Sequence, residues 1–254
     1  MTIAIAAIIC SALTGFSQDF KVPVTNAKDS KLVLKDFNGK LPVTSYNGTD
    51  IVITAVDFDN PAPERSKGLK AVYPGGTDNT GIGLDLEKEG NLIIVKCLIP
   101  FTRSSEYKIM VPENLALKIE SSCERSLEPQ IEKVKGEIEI NTCHNISLKD
   151  VSGPVVLSTI DGNIDITFSG MVTDKPFSVN SISGEIDITM PAKTATSLEM
   201  STVTGTVYSD FDFTDATKKM KQIGGNQLNY DLNGGGVKFR IATVSGNIYL
   251  RKGN

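Results

Sequence analysis

Seven stretches of this chain repeat one pattern, and that pattern limits what the chain can fold into more than any other feature. With Φ for an apolar residue, it reads Φ-x-x-Φ-x-Gly-x-Φ-x-Φ. It centres on Gly39 (Leu34, Phe37, Leu41, Val43), Gly136 (Ile131, Val134, Ile138, Ile140) and Gly153 (Leu148, Val151, Val155, Leu157). It recurs at Gly162 (Leu157, Ile160, Ile164, Ile166), Gly184 (Val179, Ile182, Ile186, Ile188) and Gly246 (Ile241, Val244, Ile248, Leu250). At Gly205 it runs Met200, Val203, Val207, and Ser209 breaks the last place. Positions −2, +2 and +4 from glycine share one parity and are expected on one face of a strand. The residues between them are mostly Ser, Thr, Asp, Asn, Glu and Lys. Glycine after Ser, Asp or Thr is turn chemistry. Each unit therefore reads as strand, corner, strand, and alone it covers its apolar face with nothing.

The spacing says how the units stack. Gly162 to Gly184 is 22 residues, Gly184 to Gly205 is 21, and Gly205 to Gly246 is 41, close to twice that. A skipped unit is expected near Gly225, with Met220, Ile223, Leu228 and Tyr230. A period near 21 predicts an all-β fold, a single β-solenoid resembling a parallel β-helix. At roughly 4.8 Å per rung, about ten rungs give a rod about 50 Å long. The short step from Gly153 to Gly162 implies two corners on one rung, sharing Leu157. The alternative is a β-sandwich of hairpins, which short strands with frequent turns would also suit.

The ends and the irregular parts complete the plan. Ile3 to Leu13 is an apolar run too short to cross a bilayer as a helix. Gly15 and Ser17 then fit a −3/−1 cleavage rule, so residues 1–18 read as a signal peptide. Residues 19–254 read as the solenoid domain, less regular over 19–106 and regular over 107–254. A loop insertion is expected near 60–85, where Pro61, Pro63, Pro74, Gly75 and Gly76 gather. That segment and the terminal "RKGN" are candidate caps for the exposed sheet edges. One short helical turn is expected over 215–221. No segment of the mature chain is long and apolar enough for a transmembrane helix.

From Tyr107 onward the chain resembles a known family. "YKIMVPENLALKIES", "IEKVKGEIEI", "STIDGNIDIT", "ISGEIDITMPAKTATSLEMSTVTGTVYSDFDF" and "ATVSGNIYL" resemble the candidate-adhesin family of bacterial β-strand-repeat proteins. The leader ending in Phe-Ser-Gln resembles those of exported Bacteroidota proteins. The resemblance implies a β-helix-like fold and an exported location, periplasmic or at the cell surface. It supplies no catalytic residues, because the family is largely a domain of unknown function.

Chemistry has little to draw on. A net charge of −4 and a pI near 5.2 argue against a nucleic-acid surface. Trp is absent, and the single histidine, His144, adjoins Cys143 on what should be opposite strand faces. No cofactor, metal or catalytic residue is predicted. Glu137, Glu139, Asp161, Asp165, Glu185 and Asp187 fall at outward positions. Asp165 and Asp187 share the +3 slot of neighbouring units, which suits a solvated face, a cation site or a glycosidase pair. The same slot holds Tyr208 and Tyr249, with Tyr230 in the degenerate unit between. Asp165, Asp187, Tyr208, Tyr230 and Tyr249 are thus a candidate surface column for a glycan or an envelope protein. Cross-rung stacking that only stabilises the sheet is the other reading. Cys123 and Cys143 lie 20 residues apart, nearly one rung, and are a candidate disulfide. The functional reading is a non-enzymatic binding or scaffold module. Its alternatives are a carbohydrate-active enzyme and a purely structural envelope protein.

Overall fold

The structure, a computed structural model, describes residues 18–56, 64–69, 72–102, 106–213 and 226–253. The signal-peptide run, the expected helical turn and Met220, Ile223 and Gly225 of the skipped unit lie outside these residues, whereas its Leu228 and Tyr230 fall on a strand that pairs antiparallel, not on a parallel rung. Two ten-stranded sheets face each other. Sheet A runs edge to edge as β1 (Gln18–Pro23), β4 (Asp50–Val56), β9 (Glu106–Pro112), β3 (Lys40–Tyr46), β11 (Glu128–Glu132), β13 (Ile146–Val151), β15 (Ile164–Phe168), β17 (Ile186–Pro191), β22 (Ile248–Gly253) and β19 (Val207–Ser209). Sheet B, from the opposite end of the stack, runs β20 (Asn226–Leu232), β18 (Thr196–Thr202), β21 (Lys238–Ser245), β16 (Phe177–Ser183), β14 (Val155–Asp161), β12 (Ile138–Asn141), β10 (Ala116–Glu120), β2 (Lys31–Lys35), β8 (Leu92–Cys97) and β7 (Leu84–Glu89). A two-stranded ribbon, β5 (Val72–Tyr73) with β6 (Gly76–Thr77), forms a separate small sheet, and Lys96 of β8 donates to the Gly75 carbonyl in its turn.

The chain passes from one sheet to the other and back, so successive strands pair into rungs. The complete rungs, in spatial order, are β8–β9, β2–β3, β10–β11, β12–β13, β14–β15, β16–β17, β21–β22 and β18–β19. Neighbouring rungs pair in parallel, as a solenoid-like coil requires. Antiparallel strands cover the ends: β4 and β1 on β9, β7 on β8, and β20 on β18. These strands do the capping expected of "RKGN", which instead overlaps β22 between two other strands. The rung length is not one number. Leu117 faces Ile138, 21 residues on; Ile138 faces Val155, 17 on; and Leu157 faces Val179, 22 on.

One apolar core runs through the stack. In sheet B a single row carries Val95, Leu34, Ile119, Ile140, Leu157, Val179, Ile241 and Met200, each opposite the next. In sheet A the matching row is Ile109, Val43, Ile131, Leu148, Ile166, Ile188 and Leu250. All of these are buried, and each side chain of this size removed from water contributes about 1.5–3 kcal/mol before entropy is counted.

The glycines occupy two kinds of corner. Gly136 and Gly153 lead from sheet A to sheet B; Gly39, Gly162, Gly184, Gly205 and Gly246 lead from B to A. Gly153 and Gly162 flank β14 and so are two corners of one rung. Along the B-to-A edge the backbones touch. A Cβ on Gly184 would overlap the carbonyl of Gly162, one on Gly246 that of Gly184, and one on Gly205 that of Gly246. Buried hydroxyls three residues before these glycines bind the same carbonyls. Ser181 donates to Gly162 (3.2 Å), Thr243 to Gly184 (3.0 Å) and Thr202 to Gly246 (2.8 Å).

The expected inward set at −2 holds at both A-to-B corners but at only one of the five B-to-A corners, that of Gly39. Val134 and Val151, at the A-to-B corners, are buried, and so is Phe37 before Gly39. Ile160, Ile182, Val203 and Val244, at four B-to-A corners, are about half exposed. Positions −5 and −2 are three residues apart, so an unbroken strand puts them on opposite faces. Where −2 is buried, the residue before it has positive φ and flips the parity: Asp36 (60°), Lys133 (61°) and Asp150 (55°). Thr159, Ser181, Thr202 and Thr243 hold that place at the other four and stay in the strand.

Candidate binding face

The outward column of sheet A is assembled by register. Asp165 on β15 faces Asp187 on β17, Asp187 faces Tyr249 on β22, and Tyr249 faces Tyr208 on β19. The spatial order departs from chain order because β22 sits between β17 and β19. Tyr230 is not in this column. It lies on β20 in sheet B, opposite Leu198, and packs against Phe213 with ring centroids 4.9 Å apart. β20 is antiparallel and caps the stack, so it cannot continue a column built by parallel rungs.

Three of the four column residues, Asp187, Tyr249 and Tyr208, are held by one another or by their neighbours. The Tyr208 and Tyr249 rings stack with centroids 5.4 Å apart and planes 11° from parallel. Stacking covers the facing sides of both rings, so the column does not present a row of open ring faces. The far side of Tyr208 points past β19, the last strand of sheet A, and Tyr208 is 52% exposed. The Tyr249 hydroxyl donates to Glu185 Oε1 at 3.1 Å and accepts from Asn247 Nδ2 at 3.1 Å. Arg251 holds Asp187 through two nitrogens, at 2.7 and 2.8 Å, and its guanidinium lies 5.6 Å from the Tyr249 ring centre. This is a bidentate, charge-assisted pair with a cation–π contact. A shallow depression here is lined by Tyr208, Ser209, Asp210, Tyr249, Leu250 and Arg251.

Of the two carboxylates, Asp187 is the one held by Arg251. Partial burial raises the Asp165 pKa, and the charges of Asp187 and Glu185 raise it further. Hydrogen bonding to Asp187 raises the pKa of Arg251. Among the described residues, no group of three or more His, Cys, Asp or Glu is placed to hold a metal ion. Glu137 and Glu139 are drawn into ion pairs, with Lys175 at 2.7 Å and with Lys31 and Lys118 at 2.9 and 2.8 Å.

Cys123 and Cys143 form a disulfide across neighbouring rungs, with Cα atoms 5.1 Å apart. His144 follows it with Nε2 buried, and its carbonyl accepts from Thr159. Two features were not read from the sequence. One is Arg251, whose place beside Asp187 depends on a pairing between residues 64 apart. The other is the exposed aliphatic edge of Ile160, Ile182, Val244 and Val203. The residue at −3 carries the signal for it: Ser or Thr marks the outward corner, Asp or Lys the inward one.

The sequence profile of the Toastrack DUF4097 family matches residues 10–251, nearly the whole chain. The chain belongs to the Toastrack DUF4097 family. Among solved structures, this Toastrack chain is similar to a candidate cell-adhesion protein of Clostridium sporogenes, at 12% identity and a TM-score of 0.51. That alignment covers 94% of this chain and 100% of the other. A candidate adhesin of Bacteroides fragilis aligns over 93% and 97% of the two chains, at 12% identity and a TM-score of 0.37. The first likeness shows the fold. No curated protein matches the chain significantly.

Proposed function

We propose that this Toastrack chain is an exported, non-enzymatic binding module of the cell envelope or surface, and that it engages its ligand through the sheet A face. The single observation that carries this reading is the in-register column of Asp165, Asp187, Tyr249 and Tyr208, with Arg251 locked beside it. The Asp187, Tyr249 and Tyr208 part of the column is stacked and ion-paired on parallel rungs before any ligand arrives, which lowers the entropy cost of binding. Tyr208 offers an apolar ring face at the end of the column, with Asp210 and Arg251 as polar groups beside it. That combination suits a sugar ring, whose faces are apolar and whose edges are hydroxyls. The adhesion-related name of the Clostridium relative agrees with this reading.

The test is binding of the full-length protein to a panel of purified bacterial and host polysaccharides. The wild-type chain is expected to retain at least one of them. Tyr208→Ala with Tyr249→Ala should lower that affinity tenfold or more while leaving the circular dichroism spectrum unchanged. Equal binding by both proteins would overturn the assignment of this face. The facing carboxylates also admit a second reading, glycan cleavage by Asp165 and Asp187. Release of reducing ends that disappears in Asp165→Asn would favour it.

A further inference from the structure

The rung carried by residues 238–253 is out of sequence order. β21 lies between β16 and β18, and β22 between β17 and β19. The chain builds β18–β19 and the antiparallel cap β20 first, then returns to fill a place further inside the stack. It gets there by a strap over the start of β18, since β20 is on one side of that strand and β21 on the other. The strap is Asn233-Gly234-Gly235-Gly236, and all four residues have positive φ: 49°, 92°, 76° and 156°. Asn233 Nδ2 donates to the carbonyls of Ala192 and Thr194 in the turn before β18, and Gly236 N to the Ser197 hydroxyl on β18, which tie the strap to this corner.

The three rungs at this place are interchangeable row by row. Phe177, Phe239 and Leu198 share one row, Val179, Ile241 and Met200 the next, and Ser181, Thr243 and Thr202 the third. In sheet A, Ile186, Ile248 and Val207 share a row. The corner repeats too. Thr243 donates to the carbonyl of Gly184 and Thr202 to that of Gly246, so either threonine suits either glycine. β16 therefore offers the same hydrogen-bonding edge and the same pockets to β21 as to any rung of that pattern. With β21–β22 withdrawn, β18–β19 has the pattern to pair with β16–β17 in the same parity. Parallel strands joined by a hinge of three glycines have the features that permit exchange of an identical element between copies.

We propose that the space between β16–β17 and β18–β19 is a strand-exchange slot, which takes the 238–253 rung of a second copy of this chain in place of its own. The product is a reciprocal dimer in which each copy keeps its β20 cap and lends its β21–β22.

The test uses full-length chains. Asn180 and Ala242 are opposite each other on β16 and β21 and face outward. One chain carries Asn180→Cys and another Ala242→Cys. They are unfolded together without reductant, refolded over a range of concentrations, and treated with a short bismaleimide. Exchange predicts a covalent heterodimer at least tenfold above either chain refolded alone, rising with concentration. Deleting Gly234 and Gly235 should increase its fraction severalfold, because a shortened strap no longer crosses β18 within one copy. A chain with both cysteines gives the reference, a cross-link within one monomer. Cross-linking confined to that monomer at every concentration would overturn the proposal. Failure of the double variant to cross-link within the monomer would also overturn it, by showing that β21 does not lie beside β16.

Discussion

Thr243 and Asp150 hold the same place, three residues before a corner glycine, and have opposite effects. The Thr243 hydroxyl turns inward to the Gly184 carbonyl, its strand continues, and Val244 is pushed outward. Asp150 adopts a positive φ, the parity flips, and Val151 is buried. Short polar residues such as Asp visit this region at little cost, whereas a β-branched Thr does not. The repeat was legible in the sequence because apolar residues recur at fixed offsets from glycine. The direction of the −2 residue was not, because it depends on one backbone dihedral that an apolar count does not register. The two corners should respond differently to one substitution. Val151→Thr places a hydroxyl in the core and is expected to cost about 1–2 kcal/mol. Ile182→Thr changes a half-exposed side chain and should stay within about 0.5 kcal/mol of wild type. Urea unfolding of the two variants measures both, and equal losses would refute the assignment of the outward corners.

At the scale of strands, the outer face of sheet B carries a chain of charges across β2, β10 and β12. Lys31 pairs with Glu139, Glu139 with Lys118, Lys118 with Glu120, and Glu120 with Lys35, at 2.9, 2.8, 2.9 and 3.6 Å. Hydrogen bonds from Lys118, then the neighbouring lysines, hold the Glu120 and Glu139 carboxyls below their usual pKa. A carboxylate whose pKa is lowered by folding stabilises the fold above its unfolded pKa, near 4.3, and that contribution is lost as pH falls through the folded value. All five side chains are at least a quarter exposed, so the network is worth only about 1 kcal/mol after screening. Glu139→Gln should therefore lower the melting temperature by a few degrees or less at pH 7 and 50 mM salt, and the difference should shrink as pH falls below about 4.3 towards 3. Asp165 has the opposite sign. Its raised pKa means that ionisation opposes folding, so Asp165→Asn should raise the melting temperature at pH 7 and leave it unchanged at pH 3. A melting-temperature profile of the three proteins between pH 3 and 8 checks both signs. The partners in this network were invisible in the sequence, because Lys31 and Glu139 are 108 residues apart and meet only through the stacking of β2, β10 and β12.

Over the whole molecule, stability is a sum over rungs and their contacts with immediate neighbours. A rung with partners on both sides is protected twice, and one at the end only once. Sequence position and stack position coincide from β10 to β17 and separate at both ends. The chain starts its rungs with β2–β3, adds β8–β9 outside them, and crosses back to lay β10–β11 on the other side. At the far end β21–β22 lies inside β18–β19. Periodicity reveals that rungs exist and roughly how long they are. Their order follows instead from where two long excursions return, and rungs of one pattern are interchangeable in this respect. The Tyr column shows the consequence, since its two tyrosines are neighbours only because β22 comes back beside β19. Hydrogen exchange under native conditions distinguishes stack order from chain order. If stack order governs, amides of 239–243 and 248–250 exchange at least tenfold more slowly than those of 207–209, although they come later in the chain. Amides of β12 and β14 should be the slowest of all. If 239–250 exchanged as fast as 207–209, the returning rung would not be held on both sides, and the placement of β21–β22 inside the stack would be wrong.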